Sequence, residues 1–127
     1  MTELRAKITA IGITITGLSG RFYHVEAPQG CPKPYSVYSF YAGSASRDSA
    51  TKFEQQFMQI NHYGENLTEL EAIEKSSKNK FEDSEADFAG MTDYHLDRIE
   101  RLGTPRRAKL GQIWQITEQY KLDLTKL

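Results

Sequence analysis

The last part of the chain has the pattern that most restricts the fold. From Gln112 to Leu124, large apolar side chains fall at even spacing, at Trp114, Ile116, Tyr120, Leu122 and Leu124. Alternation with a period of two is typical of a β-strand, because successive side chains of a strand point to opposite faces. The pattern therefore predicts a long final strand that forms the second half of a hairpin.

Four earlier segments also favour strands because they carry aromatic and aliphatic residues that fit a pleated surface. These segments are residues 21–26, 35–41, 53–63 and 92–102. The second and third are predicted to pair as a long hairpin, with the small, polar residues 43–49 as an exposed connection. A basic turn at Arg106, Arg107 and Lys109 is predicted to lead into the final strand.

Two segments favour helices. In the first, Leu4, Ile8, Ile11, Ile15 and Leu18 are three or four residues apart, which predicts a helix over residues 3–15 with Thr2 as its N-cap. Residues 11–16 also alternate with a period of two, so a strand is the alternative there. The second helix is predicted from the capping box of Asn66 and Glu69 to about residue 82, followed by an acidic turn.

This order of elements predicts an α+β protein with a mostly antiparallel sheet of about five strands and two helices packed on one face. The length of 127 residues corresponds to about one ordinary domain, so residues 1–127 are predicted to form a single domain.

The charge balance disfavours two classes of function. The 16 basic and 17 acidic residues give a net charge of -1, so no overall field attracts the chain to nucleic acid or to anionic lipid. No apolar run approaches the roughly 20 residues that span a bilayer, so no membrane partner is expected. A single cysteine, Cys31, cannot form an internal disulfide, which favours a reducing compartment such as a bacterial cytoplasm.

The sequence contains no recognisable catalytic or metal-binding motif. The segment Gly17 to Gly20 has part of a nucleophile elbow, but Arg21 stands where that motif needs its closing glycine. The three histidines lack the spacing of metal ligands and are predicted to be surface or half-buried strand residues: His24, His62 and His95. We therefore expect no catalytic residue, no metal and no cofactor, and a binding or structural role rather than an enzyme.

Several short segments, taken in order, resemble one protein family. They are Gly20-Arg21-Phe22-Tyr23, Ala27-Pro28-Gln29-Gly30, Pro34-Tyr35-Ser36-Val37-Tyr38-Ser39, Phe57-Met58-Gln59-Ile60-Asn61, the strand from Tyr94 to Arg101, and Trp114-Gln115-Ile116. Their order and spacing resemble the tail terminator family of long, non-contractile-tailed, lambda-like phages, also called tail completion or tail-to-head joining proteins.

The resemblance implies a small α+β subunit that assembles as a ring, usually of six copies, on the head-proximal end of the tail tube. There it stops tube polymerisation and presents the surface to which the head docks. The implied partners are further copies of the chain, the tail tube protein and a head-completion or connector protein, without recognition of a specific nucleic-acid sequence. The implied location is the neck of the virion, after assembly in the bacterial host cytoplasm.

Two segments are candidates for contacts with these partners. The polar loop of residues 42–52 is one, and the arginine-rich segment 101–109 is the other, because guanidinium groups suit pairing with carboxylates. Acidic residues alternate with the arginines, which indicates a protein-contact edge rather than a phosphate-binding track. The full set of candidate contact residues is Tyr41, Ser44, Arg47, Asp48, Asp97, Arg98, Glu100, Arg101, Arg106, Arg107 and Lys109.

Two alternatives remain open from the sequence. One is a different neck component, such as a head-completion or minor tail protein. The other is a small α+β ligand-binding domain or enzyme, which would require a deep pocket with convergent polar groups.

Overall fold

The computed structural model describes residues 2–45 and 53–127. The helices are α1 (Thr2–Gly12) and α2 (Leu67–Phe81), with a short 3-10 helix at Glu85–Phe88. The strands are β1 (Phe22–His24), β2 (Tyr35–Ala45), β3 (Phe53–Gly64), β4 (Tyr94–Arg101), β5 (Arg106–Leu110) and β6 (Ile113–Lys126).

The described strands form one sheet in the order β1-β2-β3-β6-β4, and β5 also pairs with β6. The β1–β2 pair is parallel and the other pairs are antiparallel. The predicted α+β class, the mostly antiparallel sheet and the 35–63 hairpin are therefore confirmed. The sheet has six strands rather than about five, because β4 and β5 follow one another along the same edge of β6.

The long final strand is confirmed and organises the core. β6 lies between β3 on one side and β4 and β5 on the other. Its alternate residues Ile116, Tyr120, Leu122 and Leu124 are buried on the face that the helices cover. The other elements add a large part of the same core, including Leu4, Ile8, Phe22, Tyr38, Met58, Ile60, Leu70, Ile73, Phe81, Leu96 and Ile99.

Most differences from the predicted elements lie at their ends. The first helix ends at Gly12, and Thr2 is its first residue rather than its N-cap. Residues 43–45 of the predicted connection continue β2, because they pair with β3, and residues 46–49 lie outside the described residues. The capping box of α2 is confirmed, since Asn66 Oδ1 accepts from Glu69 N at 3.1 Å.

The prediction of a basic turn at Arg106, Arg107 and Lys109 is wrong, because these residues lie in a strand. Arg106–Leu110 is strand β5, which pairs with β6 from Arg106↔Thr117 to Leu110↔Ile113. The break lies earlier, in residues 102–105, which include Gly103 and Pro105. The polar character of β5 hid its strand pattern, because all five of its residues are exposed at the edge of the sheet.

Gly12 is required by close packing of α1 against β1. A Cβ atom on Gly12 would lie 2.1 Å from Cδ1 of Phe22, well inside contact distance. The Phe22 ring in turn stacks on Tyr38 at 5.2 Å between ring centroids. The glycine therefore lets the aromatic layer of the sheet reach the helix backbone.

We expect Gly12→Ala to lower the free energy of unfolding by about 2 kcal/mol, although alanine is the better helix former by about 1 kcal/mol. Urea unfolding followed by circular dichroism measures the loss. The double variant Gly12→Ala/Phe22→Ala, compared with Phe22→Ala alone, is the control, since alanine at 22 lacks the ring atoms that clash. Equal stability of Gly12→Ala and the wild type would contradict the packing argument.

Candidate functional site

The sheet face opposite the helices is uncharged at one end. Three rows cross β2, β3 and β6 there and contain no charged residue; they comprise Tyr35, Tyr63 and Gln115, then Val37, Asn61 and Thr117, then Ser39, Gln59 and Gln119. We call this set the neutral face. Asn61 is its hub, because its Oδ1 accepts hydrogen bonds from Thr117 at 2.8 Å, Gln115 at 3.2 Å and Gln59 at 3.4 Å.

A groove of about 470 Å³ lies where residues 25–33 cross part of the neutral face. Its floor includes Tyr35 and Tyr63, whose ring centroids are 5.2 Å apart. Burial, with Tyr35 adding a smaller effect, raises the pKa of Tyr63, so its hydroxyl stays protonated. The groove therefore offers aromatic surface and neutral hydrogen-bonding groups on the sheet, and the charged residues Glu26 and Lys33 from the crossing segment.

The β4 end of the same face is charged. Arg98 pairs with Glu100 at 2.6 Å, and His95 Nδ1 lies 2.9 Å from an oxygen of Asp97. Burial opposes ionisation of Asp97, but hydrogen bonds from Thr125 and His95 outweigh it and lower the pKa of this carboxyl. The predicted contact residues Asp97, Arg98 and Glu100 therefore form a mixed-charge edge, of which Asp97 and Arg98 are well exposed.

The basic residues of β5 do not form one cluster. Arg106 is opposite Thr117 and shares the side of the neutral face, whereas Arg107 pairs with Glu71 of α2 at 3.7 Å. Lys109 lies over the ring of Trp114, 5.3 Å from its centroid. The alternation of a strand separates neighbours that a turn could bring together.

Arg101 does not lie on the exposed contact surface to which the sequence analysis assigns it. Its side chain is 10% exposed and makes ion pairs with Glu74 and with Glu118, the latter at 3.6 Å. Burial opposes the charged guanidinium, but the carboxylates outweigh burial and raise the pKa of Arg101. Arg101 is therefore an interior cation and not an accessible contact residue.

The remaining candidates lie at the far end of the β2–β3 hairpin. Tyr41 is exposed, and its ring centroid is 5.8 Å from that of Phe57. Ser44 lies in β2 opposite Gln55 of β3. Arg47 and Asp48 lie outside the described residues.

A buried polar chain connects β2, β3 and β6 beneath the helices. Ser36 Oγ is 2.5 Å from His62 Nδ1, and His62 Nε2 is 2.5 Å from an oxygen of Glu118. The three residues are between 0% and 1% exposed. The prediction of a surface or half-buried histidine is therefore wrong for His62, although His24 is half-buried and His95 is exposed.

Two further groups complete the surroundings of Glu118. Tyr120 donates to Glu118 Oε1 at 3.0 Å, and burial together with the Glu118 charge raises the pKa of Tyr120, so the hydroxyl keeps its proton. Arg101 supplies the balancing positive charge and links Glu118 to Glu74 on α2. We call Ser36, His62, Glu118, Tyr120, Arg101 and Glu74 the buried network.

The order hydroxyl, imidazole and carboxylate is also that of serine hydrolases. A nucleophile must reach its substrate, yet Ser36 is 0% exposed and lies on β2 between β1 and β3. The arrangement holds strands together and presents no hydroxyl to a substrate.

The histidine spacings did not reveal this network, but the strand pattern contains a signal. His62 follows Met58 and Ile60 on the inward face of β3, and Glu118 lies between Ile116 and Tyr120 on β6. Polar residues at alternating apolar positions indicate inward groups that need partners.

No helix within residues 2–45 and 53–127 is long and apolar enough to cross a membrane. Within the same ranges, no three side chains of the metal-ligating types come together as a candidate site.

Comparison with solved structures identifies the architecture. The chain is similar to one in the virion of a native gene transfer agent particle, with a TM-score of 0.66 and 12% sequence identity, over 98% of this chain and 90% of the other. No family model and no curated protein matches the sequence. The comparison shows that this chain has the α+β fold of a virion chain, and membership of the tail terminator family stays a prediction.

We expect Glu118→Gln to lower the free energy of unfolding by about 3 kcal/mol, because it removes a buried carboxylate that faces His62 and Arg101 and leaves Arg101 with Glu74 alone. Glu71→Gln is the matched control, since it removes an exposed partner of an arginine and should cost less than about 1 kcal/mol. Denaturant unfolding of both variants measures the difference. Equal losses would show that the buried network contributes no more than a surface ion pair.

Proposed function

We propose that this chain is a structural protein of a phage-like virion and, more specifically, a tail terminator. In this role it forms a ring at the head-proximal end of the tail tube, stops tail polymerisation and joins the tail to the head. The observation that carries the virion assignment is the fold shared with a virion chain over 98% of this chain. The sequence resemblance supports the finer role.

The chemistry of the neutral face supports assembly with other proteins. Cores of protein interfaces are depleted in charged residues and enriched in tyrosine. The neutral face has both properties, with Tyr35 and Tyr63 stacked beside the Asn61 hub. A surface of this composition suits a protein partner, such as a tail tube or connector subunit.

The two lateral edges support a ring. A closed ring with head-to-tail contacts needs two different, complementary surfaces on each subunit. Residues 39–45 of β2 include no charged residue, whereas β4 carries Asp97, Arg98 and Glu100. A net charge of -1 keeps repulsion between copies small.

Deletion of the gene in the intact phage tests the proposal. A tail terminator predicts overlong tails that are separated from full heads, both visible by electron microscopy. Tails of normal length without heads would favour a different neck component. Normal virions would contradict a role at the neck.

Charge reversal on β5 tests the surface that joins other subunits. We expect Arg106→Glu to reduce the yield of joined virions at least about tenfold, equivalent to about 1.4 kcal/mol in contact free energy. Arg107→Glu is the matched control, because Arg107 faces Glu71 within its own subunit. Plaque titres and particle counts give the measurement, and unchanged joining by Arg106→Glu would remove Arg106 from the contact surface.

A further inference from the structure

The outer edge of β2 is covered along a short part of its length. β1 pairs with Ser36, Val37 and Tyr38, and Val25 N donates to Tyr38 O at 2.9 Å where the two strands separate. No other strand in the described ranges pairs with this side of β2. From residue 39 to residue 45, the outer edge of β2 therefore has none of the described strands beside it.

The direction of the backbone groups follows from the hydrogen bonds of β1. Ser36 N donates to Arg21 O at 2.9 Å and Tyr38 O accepts from Val25 N, so the even-numbered residues direct their amide and carbonyl groups outward. Groups of residues two apart point to the same side of a strand. The N–H of Phe40, just before the bulge between Phe40 and Ala42, is therefore directed to the uncovered side.

Within residues 2–45 and 53–127, this edge lacks the protection that proteins normally give to exposed strands. Charged residues, prolines and covering groups prevent unwanted pairing of edges. Residues 39–45 contain neither a charge nor a proline. β4 is protected: a bulge interrupts it between Leu96 and Arg98, and Glu85 accepts from Ile99 N at 3.5 Å.

The flank of α1 beside the same edge is also apolar and open. A groove of about 490 Å³ lies between α1 and β1, lined by residues that include Ala6, Ala10 and His24. Ile13 at its end is 49% exposed. The ring of His24 is 6.4 Å from that of Phe40 between centroids, so the groove adjoins the uncovered edge of β2.

The opposite edge of the sheet has the position and direction to fill this gap in a second copy. The register places Ser44, Gln55, Asp123 and Arg98 in one row, so β4 lies level with the uncovered part of β2. Each step from β2 through β3 and β6 to β4 is antiparallel. β2 and β4 therefore run in opposite directions, and β4 of one copy beside β2 of the next continues the antiparallel order.

We propose that residues 39–45 of β2 pair, by backbone hydrogen bonds, with β4 of a second copy of this chain, and that this pairing is the contact between neighbouring subunits. The choice of β4 as the partner strand rests on the proposed function, because a ring with head-to-tail contacts joins two different edges of neighbouring subunits. In the free chain the Glu85 carboxylate accepts from Ile99 N. When β2 of the second copy pairs with β4, Glu85 moves away and frees that N–H. In the register of that row, Arg98 and Glu100 lie level with Ser44 and Ala42, which carry no charge to repel either sign.

A pair of substitutions at one residue tests the backbone contact. Phe40→Pro and Phe40→Ala both remove the aromatic ring, but the proline also removes the outward N–H. Analytical ultracentrifugation of the purified full chain, up to about 1 mM, measures self-association. We expect Phe40→Pro to associate at least about tenfold more weakly than Phe40→Ala, as expected for an interface carbonyl left without its donor.

A variant beside the β4 edge should change self-association in the opposite direction. Glu85→Ala removes the carboxylate from Ile99 N–H and should strengthen self-association, a result that damage to the fold by Phe40→Pro cannot mimic. Circular dichroism confirms that each variant is folded before its association is measured. Hydrogen exchange should also show protection of the Phe40 amide as the concentration rises.

Three outcomes would overturn the inference: equal association of Phe40→Pro and Phe40→Ala, no gain in Glu85→Ala, or a wild-type chain that stays monomeric throughout the range. The gene deletion tests the proposed function separately. Overlong, headless tails combined with equal association of the two Phe40 variants would retain the tail terminator role and reject this contact. Normal virions combined with weaker association of Phe40→Pro would retain the contact and reject the role.

Discussion

The buried carboxylate of Glu118 constrains the whole sheet, because a charge in the interior is costly unless every neighbouring element supplies a partner. His62 comes from β3 and Arg101 from β4, while Tyr120 lies on the same strand two residues further on. Ser36 of β2 and Glu74 of α2 extend the network in both directions. A shift of any central strand by one residue would turn its inward groups to the opposite face. The network therefore fixes the register of four strands relative to one another and to a helix. Apolar contacts alone would discriminate less between alternative registers.

This interior leaves the outside of the molecule for contacts. The helices cover one face of the sheet, so the neutral face and the two lateral edges remain available. These surfaces differ in chemistry. The neutral face is uncharged and contains tyrosines, and the β2 edge presents backbone groups of uncharged residues. The β4 edge carries charged side chains, and Glu85 accepts from one of its N–H groups. The proposed function requires contacts with copies of the chain and with two other partners, and three distinct surfaces would meet that requirement.

The positions of charged residues in the sequence do not by themselves show which of them lie together on the surface of this protein. Asp97, Arg98 and Glu100 do meet at one edge, because a strand with a bulge carries them together. Arg101 is the next residue in the sequence, yet it turns inward to Glu118, and Arg106 and Arg107 lie on opposite faces of β5. Whether an arginine is a contact residue or an interior cation depends on the parity of its strand and on the acids it meets from distant segments. Neither property is visible in local composition.

The sequence alone determined the α+β class, the capping box of α2, the 35–63 hairpin and the long final strand, because hydrophobic period and capping chemistry are local properties of the chain. Tertiary structure decided the rest. It divided one edge into β4 and β5, ended α1 at Gly12 where the Phe22 ring meets the helix, and placed His62 within 2.5 Å of Glu118, 56 residues further along the chain. These features depend on strand order and register, which are set by contacts between distant residues. The same contacts determine which strand edges stay open to a second copy.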